Sequence, residues 1–362
     1  MWRRHPCIVS YWHDGEQIFE NYATGVRISA EPPAADILNF FSRWRSADAL
    51  IDSLPEYTSR SLRAAVQKLD RLSFLVRSGR PVDERVQLLE RWGGWNPSAS
   101  FYHMSTKDMR FAHDPSVVDR HLRRKARHIP PPPVVKRYLP AVGVPLPPAD
   151  THGEFPQVLL ARRTWREFSR RQVTLAELST LLGLTWRVQG WLDIPGQGQM
   201  PLKTSPSGGA RHPLEAYVWA RRVRGLRPGF YHYACDRHLL ERLTSGGARR
   251  RVTSYLPTQW WFASAPALVF MTAMFPRVQW KYEFPRAYRV VLAEAGHFCQ
   301  TFCLTATWLG LAPFCTMALA DSRIERDLGI DGITESVLYV AGVGRRPEDR
   351  ARWPEYTPHV PD

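Results

Sequence analysis

Hydrophobic and polar positions alternate in two short runs near the start of the chain, Ile8–Trp12 and Gln17–Asn21, on either side of Asp14-Gly15. Alternation with period two around an Asp-Gly pair predicts a β-hairpin, because both residues tolerate the positive φ of a tight reverse turn. A third strand is expected at Val26–Ser29. The period then lengthens. Ile37, Leu38, Phe40 and Phe41 form a helical stripe behind Pro32-Pro33, and Ser46 is placed to cap a short helix carrying Leu50, Ile51 and Leu54. Leu62, Val66 and Leu69 share one face of a third helix over 61–72, and Phe74–Arg77 returns to strand. Strands, three helices and a returning strand make a small winged-helix pattern.

Residues 116–150 break this patterning. They hold the run Pro130–Pro133 and the basic patch Arg123, Arg124, Lys125 and Arg127, and proline fixes φ and removes donors, so an extended, semi-rigid linker is expected. Helices and strands mix from about Phe155. Thr174 and Glu177 have the spacing of a capping box, followed by Leu175, Leu178, Leu181 and Leu182 as a buried face. Leu214–Ala220 and Ala267–Met271 read as strands, Tyr288–Trp308 as a long buried helix and Val337–Val343 as a closing strand. Three segments result: 1–112, a linker at 113–152, and 153–362.

Composition narrows the class. The 362 residues are 44% hydrophobic and 12% aromatic, enough to bury a core and to exclude global disorder. Cys7, Cys235, Cys299, Cys303 and Cys315 show no CxxC spacing, which argues against a disulfide framework or a structural zinc site and for a reducing cytoplasm. Cys299 and Cys303 read as small core residues, and His232 and His297 as structural. Met1–Ser10 lacks the apolar region of a signal peptide. Ala295–Ala320 carries no Asp, Glu, Lys or Arg, yet it holds His297, Gln300, Gly310 and Pro313, so a buried helix and turn is expected rather than a membrane span.

The net charge of +15 raises nucleic acid as a partner. Lys plus Arg against Asp plus Glu is 15 against 14 over 1–115, 7 against 2 over 116–150 and 27 against 18 over 151–362. A near-neutral winged helix lacks the phosphate contacts on which DNA affinity rests, so nucleic-acid binding is not expected. The 6 lysines against 43 arginines make any lysine in an apolar stretch conspicuous.

Four stretches carry candidate chemistry. Arg162, Arg163, Thr164 and Arg166 put three arginine forks and a hydroxyl before the capped helix, a set that matches phosphate oxygens. Pro206, Ser207, Gly208 and Gly209 combine a stiff proline, a hydroxyl and two glycines that let backbone amides approach a flat or anionic ligand, and Ser207 could donate to a ring carbonyl. Gly344-Arg345-Arg346 adds a third basic site. Lys281 and Tyr282, beside Trp280, bring two titratable groups into an aromatic neighbourhood, where desolvation favours a general base. Each of these alone is also an ordinary solvated turn or a snorkelling lysine.

Taken in order, RRTWREF, PSGGARHPLEAY, GFYHY, WKYEFPRAYRVVLAEAGHFCQ, LGLAP and VAGVGRR resemble the SagB-type dehydrogenases, FMN-dependent azoline oxidases of the nitroreductase superfamily. Residues 1–112 resemble the PqqD-like element that captures a leader peptide as an added strand. The resemblance implies an α+β fold with a central, mostly antiparallel sheet, a homodimer, and FMN in a cleft built from both subunits. It places Arg162, Arg163, Thr164, Arg166 and Arg345 at the FMN phosphate and ribityl chain. Pro206, Ser207 and Gly208 would line the flavin ring, with the backbone of Phe314 and Cys315 facing it. Lys281 and Tyr282 match the family's Lys-Tyr pair. The chain departs from the usual Ala-Gly-Ala-Leu-Tyr-Pro turn with Gly208-Gly209-Ala210-Arg211-His212-Pro213, and from the usual serine with Thr164.

The implied activity is oxidation of a peptide thiazoline or oxazoline to the thiazole or oxazole, with a cyclodehydratase as a further partner and no metal. An NAD(P)H-dependent reductase of another small substrate and a non-catalytic peptide- or DNA-binding scaffold are the alternatives.

Overall fold

A short strand β1 (Trp2–Arg4) precedes the hairpin of β2 (Ile8–His13) and β3 (Glu16–Asn21), which turns through Asp14 (φ 49°) and Gly15 (φ 83°). The computed structural model describes residues 1–29, 31–81, 83–109, 114–133, 135, 146–196, 198–243 and 251–347. Within them β4 (Val26–Ser29), α1 (Pro32–Phe40), α2 (Ala47–Ser53), α3 (Ser59–Arg71) and β5 (Leu75–Arg77) follow. Ser46 caps α2 by accepting from the Ala49 amide, and Thr58 caps α3 by accepting from Ser61. Ile37, Leu38, Phe41, Leu50, Leu62, Val66, Leu69 and Phe74 are buried together as one core. Strand β1 pairs antiparallel with β5, and β2-β3-β4 form a separate antiparallel sheet.

Next along the chain come α4 (Glu84–Glu90), α5 (Ser98–Thr106), α6 (Pro115–His128) and α7 (Glu154–Ala161). Helix α6 corrects the extended-linker expectation for its residues. The first proline inside 116–150 is Pro130, so 116–128 is free to coil; Asp114 caps the helix through the Ser116 amide and Asp119 pairs with Arg123 one turn on. Pro130–Pro133 have no regular structure, and 136–145 lie outside the described residues.

The remaining elements are β6 (Val173–Thr174), α8 (Leu175–Trp186), β7 (Gly190–Ile194), β8 (Gly198–Leu202), β9 (Leu214–Ala220), β10 (Val223–Arg224), β11 (Gly229–Ala234) and β12 (Leu239–Arg242), then β13 (Ala267–Met274), α9 (Phe275–Gln279), α10 (Ala287–Trp308), β14 (Leu311–Thr316), α11 (Asp321–Leu328) and β15 (Glu335–Arg345). A six-stranded sheet runs β12-β11-β9-β13-β15-β14, and its β12–β11, β11–β9, β9–β13 and β15–β14 ladders are antiparallel. This is the α+β architecture the resemblance implied. The capping box forms: Thr174 accepts from the Glu177 amide and Glu177 returns to the Thr174 amide. Leu175 is exposed, while Leu178, Leu181 and Leu182 are buried as expected. No described helix is long and apolar enough to cross a membrane, because Arg289 and Glu294 interrupt α10 and a turn follows it.

Two compact units emerge. One contains Met1–Lys107 with Met274–Leu292 and Asp331–Ser336; the other contains Asp108–Ala273, Ala293–Ile330 and the chain from Val337. The division differs from the sequence segments, since two stretches beyond residue 153 pack with the N-terminal part. The reason is aromatic. Trp92, Trp95, His103, Phe275 and Tyr288 cluster with ring centroids 5.1–6.2 Å apart, and the Trp92 indole donates to the Ile333 carbonyl.

His103 is fully buried there, its Nδ1 2.9 Å from the Tyr288 hydroxyl and its Nε2 2.9 Å from the Gly332 carbonyl. Burial pushes it down from 6.5 to about 3, and burial likewise lowers His5 to about 4. In the second unit His232 is held up at about 9, first by its hydrogen bond to Glu215 and then by Glu241. The unfolded chain therefore binds more protons than the folded one at His103 and His5, and fewer at His232. Stability from the first pair is complete above pH 6.5 and falls as pH drops toward 3, by up to about 1.4 kcal/mol per pH unit for each group. Stability from His232 is complete below pH 6.5 and is lost as pH rises through about 9. Thermal melts across pH 4–9 should give a maximum near neutrality; a midpoint that keeps rising below pH 6 contradicts this.

Candidate active site

Strand β14 lies at the edge of the six-stranded sheet, and the arginine-rich segment is fastened beside it. The Trp165 amide donates to the Pro313 carbonyl (2.9 Å) and the Ser169 amide to the Arg345 carbonyl (3.0 Å). The glycines of the closing strand make this possible. A Cβ on Gly344 would stand 2.5 Å from the Phe168 ring, and one on Gly342 would stand 2.2 Å from the ring of Phe314. Phe168 packs on Phe314 (5.6 Å between centroids), and Phe314 stacks on Phe262 (3.7 Å). Gly342→Ala should therefore cost about 1–3 kcal/mol through overpacking of a filled core; a denaturation midpoint equal to that of the parent would contradict this packing.

The candidate arginines have distinct surroundings. Arg163 donates through Nη1 to the carbonyls of Leu160 (2.8 Å) and Arg162 (2.7 Å), which folds it over the end of α7. Arg162 and Thr164 are half-buried and Arg166 is exposed. Arg345 joins Glu177 at 2.7 Å and donates to the Gln172 carbonyl at 3.2 Å, so Glu177 serves both its capping box and this ion pair. Arg346 lies over the Trp165 ring (5.4 Å) and donates to the carbonyls of Leu311 and Thr307.

The glycine turn is built against α10. Ser207 Oγ donates to Glu294 Oε2 at 2.6 Å and accepts from the His212 amide at 2.9 Å. One hydroxyl proton makes one donation, so Glu294 takes the one that the sequence reading directed at a ring carbonyl. Glu294 is 1% exposed, and its other oxygen is 3.7 Å from His212 Nδ1. Ser205 bonds Thr301 at 2.9 Å, and the Pro206 carbonyl faces His297 Nδ1 at 3.4 Å. Gly209, Ala210 and His212 all have positive φ, a strained run that these anchors hold in place. The unusual Arg211-His212 pair thus has a structural consequence: His212 turns back onto the buried carboxylate.

Glu294 was not among the sequence candidates. Its signal was present, since it is the one carboxylate in the 22 residues of α10. That helix also joins the candidate groups. Its residues 294–301 hold the 205–207 turn, while Cys299 and Cys303 meet Cys315 on β14, next to Phe314.

Lys281 and Tyr282 lie in the other unit, in the turn after α9, where both amides donate to the Val278 carbonyl. The Trp95 indole donates to the Tyr282 carbonyl at 2.7 Å. Both side chains are half-buried, with the ammonium 5.9 Å from the Tyr282 ring centre. Gly94 admits the neighbouring chain, because a Cβ there would lie 2.0 Å from the Glu283 carbonyl oxygen. Arg91, Trp92, Gly94, Trp95, Trp280 and Glu283 line much of a cleft of about 590 Å³ within this unit.

By donor chemistry, the segment 162–166 suits a phosphate dianion, and the turn 206–208, whose Ser207 hydroxyl is committed to Glu294, offers its backbone to a flat ring. Those groups fit a flavin mononucleotide. The model of the nitroreductase family matches residues 159–345. The provisionally named nitroreductase MJ1384 of Methanocaldococcus jannaschii is 35% identical over 191 residues, 53% of this chain and 90% of that protein. The trifolitoxin-processing protein TfxB of Rhizobium leguminosarum bv. trifolii is 32% identical over 174 residues, 46% of each chain. The microcin B17-processing protein McbC of Escherichia coli is 28% identical over 171 residues, 43% of this chain and 58% of that one. The chain thus spans about half the length of the two peptide-processing relatives.

Proposed function

The chain belongs to the nitroreductase family, and we propose that within it this protein is an FMN-dependent dehydrogenase that oxidises peptide thiazolines or oxazolines to thiazoles or oxazoles. The observation that carries the reading is the pairing of two features in one chain. Its C-terminal part is similar to a trifolitoxin-processing and a microcin B17-processing protein, and it carries the Lys281-Tyr282 pair that the sequence resemblance implies. When bound, FMN supplies the two-electron acceptor.

The protein's own residues have the remaining tasks. Arg162, Arg163, Thr164 and Arg166 bind the phosphate and ribityl chain. Arg345 joins them only by giving up Glu177. Pro206, Ser207 and Gly208 orient the ring, steadied by Glu294, and the backbone of Phe314 and Cys315 lies along it. Lys281 Nζ or Tyr282 Oη removes the azoline Cα proton, which the adjacent C=N and carbonyl acidify, as a hydride leaves the ring CH₂. The C–H bonding pair freed at Cα becomes the new C=C bond. Residues 1–112 capture a leader peptide by strand addition, a cyclodehydratase supplies the azoline, and two copies of the chain complete the cofactor site.

The M. jannaschii relative favours a second reading, an NAD(P)H-dependent reductase of another small substrate. Anaerobic stopped-flow spectra of the flavin-loaded protein separate the two. Bleaching by an azoline peptide, with NAD(P)H inert, is the expected result; rapid bleaching by NAD(P)H, with azoline peptides inert, replaces the first reading by the second.

A further inference from the structure

Cys299 and Cys303 stand one turn apart on α10, and Cys315 meets them from β14, so that the three Sγ atoms all lie within 4.8 Å of one another. Cys299 and Cys303 are buried and Cys315 is half-buried. Nothing in the proposed dehydrogenation uses a thiol. The sequence reading took the first two as small core residues, and only the fold adds the third.

Three observations separate this cluster from cysteines that merely fill space. The three sulfurs converge from two elements, α10 and β14, which lie apart in the sequence, so the close approach is set by the fold and not by the helix repeat alone. The Tyr339 hydroxyl donates to the same sulfur at 3.5 Å. The Arg162 guanidinium lies near enough to Cys303 and Cys315 to act on both electrostatically. The result is three sulfurs gathered at one point, with a phenol hydroxyl and a guanidinium charge beside them.

We propose that Cys299, Cys303 and Cys315 form a three-coordinate site for a soft monovalent metal ion, Cu(I). Metal–thiolate bonds of about 2.3 Å bring sulfurs to about 4 Å from one another, so the thiols need to close by less than about 1 Å. Ligand chemistry chooses the ion. All three donors are sulfur, the Tyr339 phenol is a hydrogen-bond donor to Cys315, and among the described residues no imidazole or carboxylate belongs to the group. Soft thiolates select Cu(I), whereas closed zinc sites take four ligands. Binding leaves the copper oxidation state unchanged and releases one proton to solvent for each thiol that becomes a thiolate ligand.

The test is an anaerobic titration of the reduced full-length protein with Cu(I) against bicinchoninate, and with Zn(II) in parallel. One equivalent of Cu(I) should be retained, with ultraviolet thiolate-to-metal absorption and an X-ray absorption spectrum showing three sulfur neighbours. Cys315→Ser should weaken binding by more than about 100-fold, beyond the cost of losing an outer-shell partner, while Cys235→Ser should leave it unchanged. Should Cys315→Ser not fold, alkylation of the unmutated protein decides, with bound Cu(I) expected to protect Cys315 but not Cys235. Failure to hold Cu(I) against bicinchoninate, preference for Zn(II), or equal protection of both cysteines overturns the proposal. None of these readouts depends on flavin or on turnover.

Discussion

Lys281→Ala is expected to lower turnover of a thiazoline peptide by about 10²–10⁴-fold, the range that a positioned general base contributes, while leaving bound flavin at the level of the parent. The backbone of the turn is fixed independently of the lysine side chain, by the Lys281 and Tyr282 amides on the Val278 carbonyl and by the Trp95 indole on the Tyr282 carbonyl. Truncating a half-buried side chain in such a turn should change stability by no more than about 0.5 kcal/mol. Tyr282→Phe keeps the ring and removes only the hydroxyl, so the two variants divide the role. Loss in the lysine variant alone assigns the base to Lys281. Normal turnover of Lys281→Ala removes Lys281 from the chemistry and leaves Tyr282 as the candidate.

The second large effect is expected at Glu294, and it falls on cofactor retention rather than on proton transfer. Glu294→Leu removes the acceptor of the Ser207 hydroxyl and the carboxylate beside His212. A hydrogen bond to a charged group contributes about 1.5–3 kcal/mol, enough to lower the melting temperature by several degrees for a domain of about 200 residues. If even about 1.4 kcal/mol of that loss comes from the orientation of 206–208, FMN binds tenfold more weakly. Glu294→Gln keeps an acceptor for Ser207 and should recover most of the affinity. Equilibrium fluorescence titration with FMN, alongside a thermal melt, reads both. Unchanged FMN affinity in Glu294→Leu would show that the turn is held without its carboxylate.

Local signals made part of this molecule legible in the sequence. The Asp14-Gly15 hairpin, the Ser46 cap, the Leu62/Val66/Leu69 face, the Thr174–Glu177 capping box and the long helix through Glu294 are each set by residues within a turn or two of one another, and each forms. What was missed depends on pairs far apart in the chain. Trp2–Arg4 carries no strand alternation of its own and becomes a strand only by pairing with Leu75–Arg77. Trp92 and Trp95 recruit Phe275 and Tyr288, so a boundary drawn on composition could not anticipate that 274–292 packs with the first 107 residues. Helix α6 was hidden by averaging a proline-free half with a proline-rich one.

The candidate site divides in the same way. Residue types and order nominated the basic segment, the glycine turn and the Lys-Tyr pair as candidates. Their partners came from the fold: Glu177 for Arg345, Glu294 for Ser207, and Cys315 for Cys299 and Cys303. Gly342 lay within the expected closing strand and Gly344 headed a basic motif, with no packing role read for either, whereas their role is to leave room for Phe314 and Phe168.

The central claim is tested most directly by mass analysis of a thiazoline-containing peptide incubated with the purified, flavin-loaded protein. The account predicts that the peptide loses two hydrogens at the ring and gains thiazole absorbance, with no NAD(P)H required and with the change absent in the variant that removes the base. A peptide recovered unchanged by protein that carries stoichiometric FMN would contradict it.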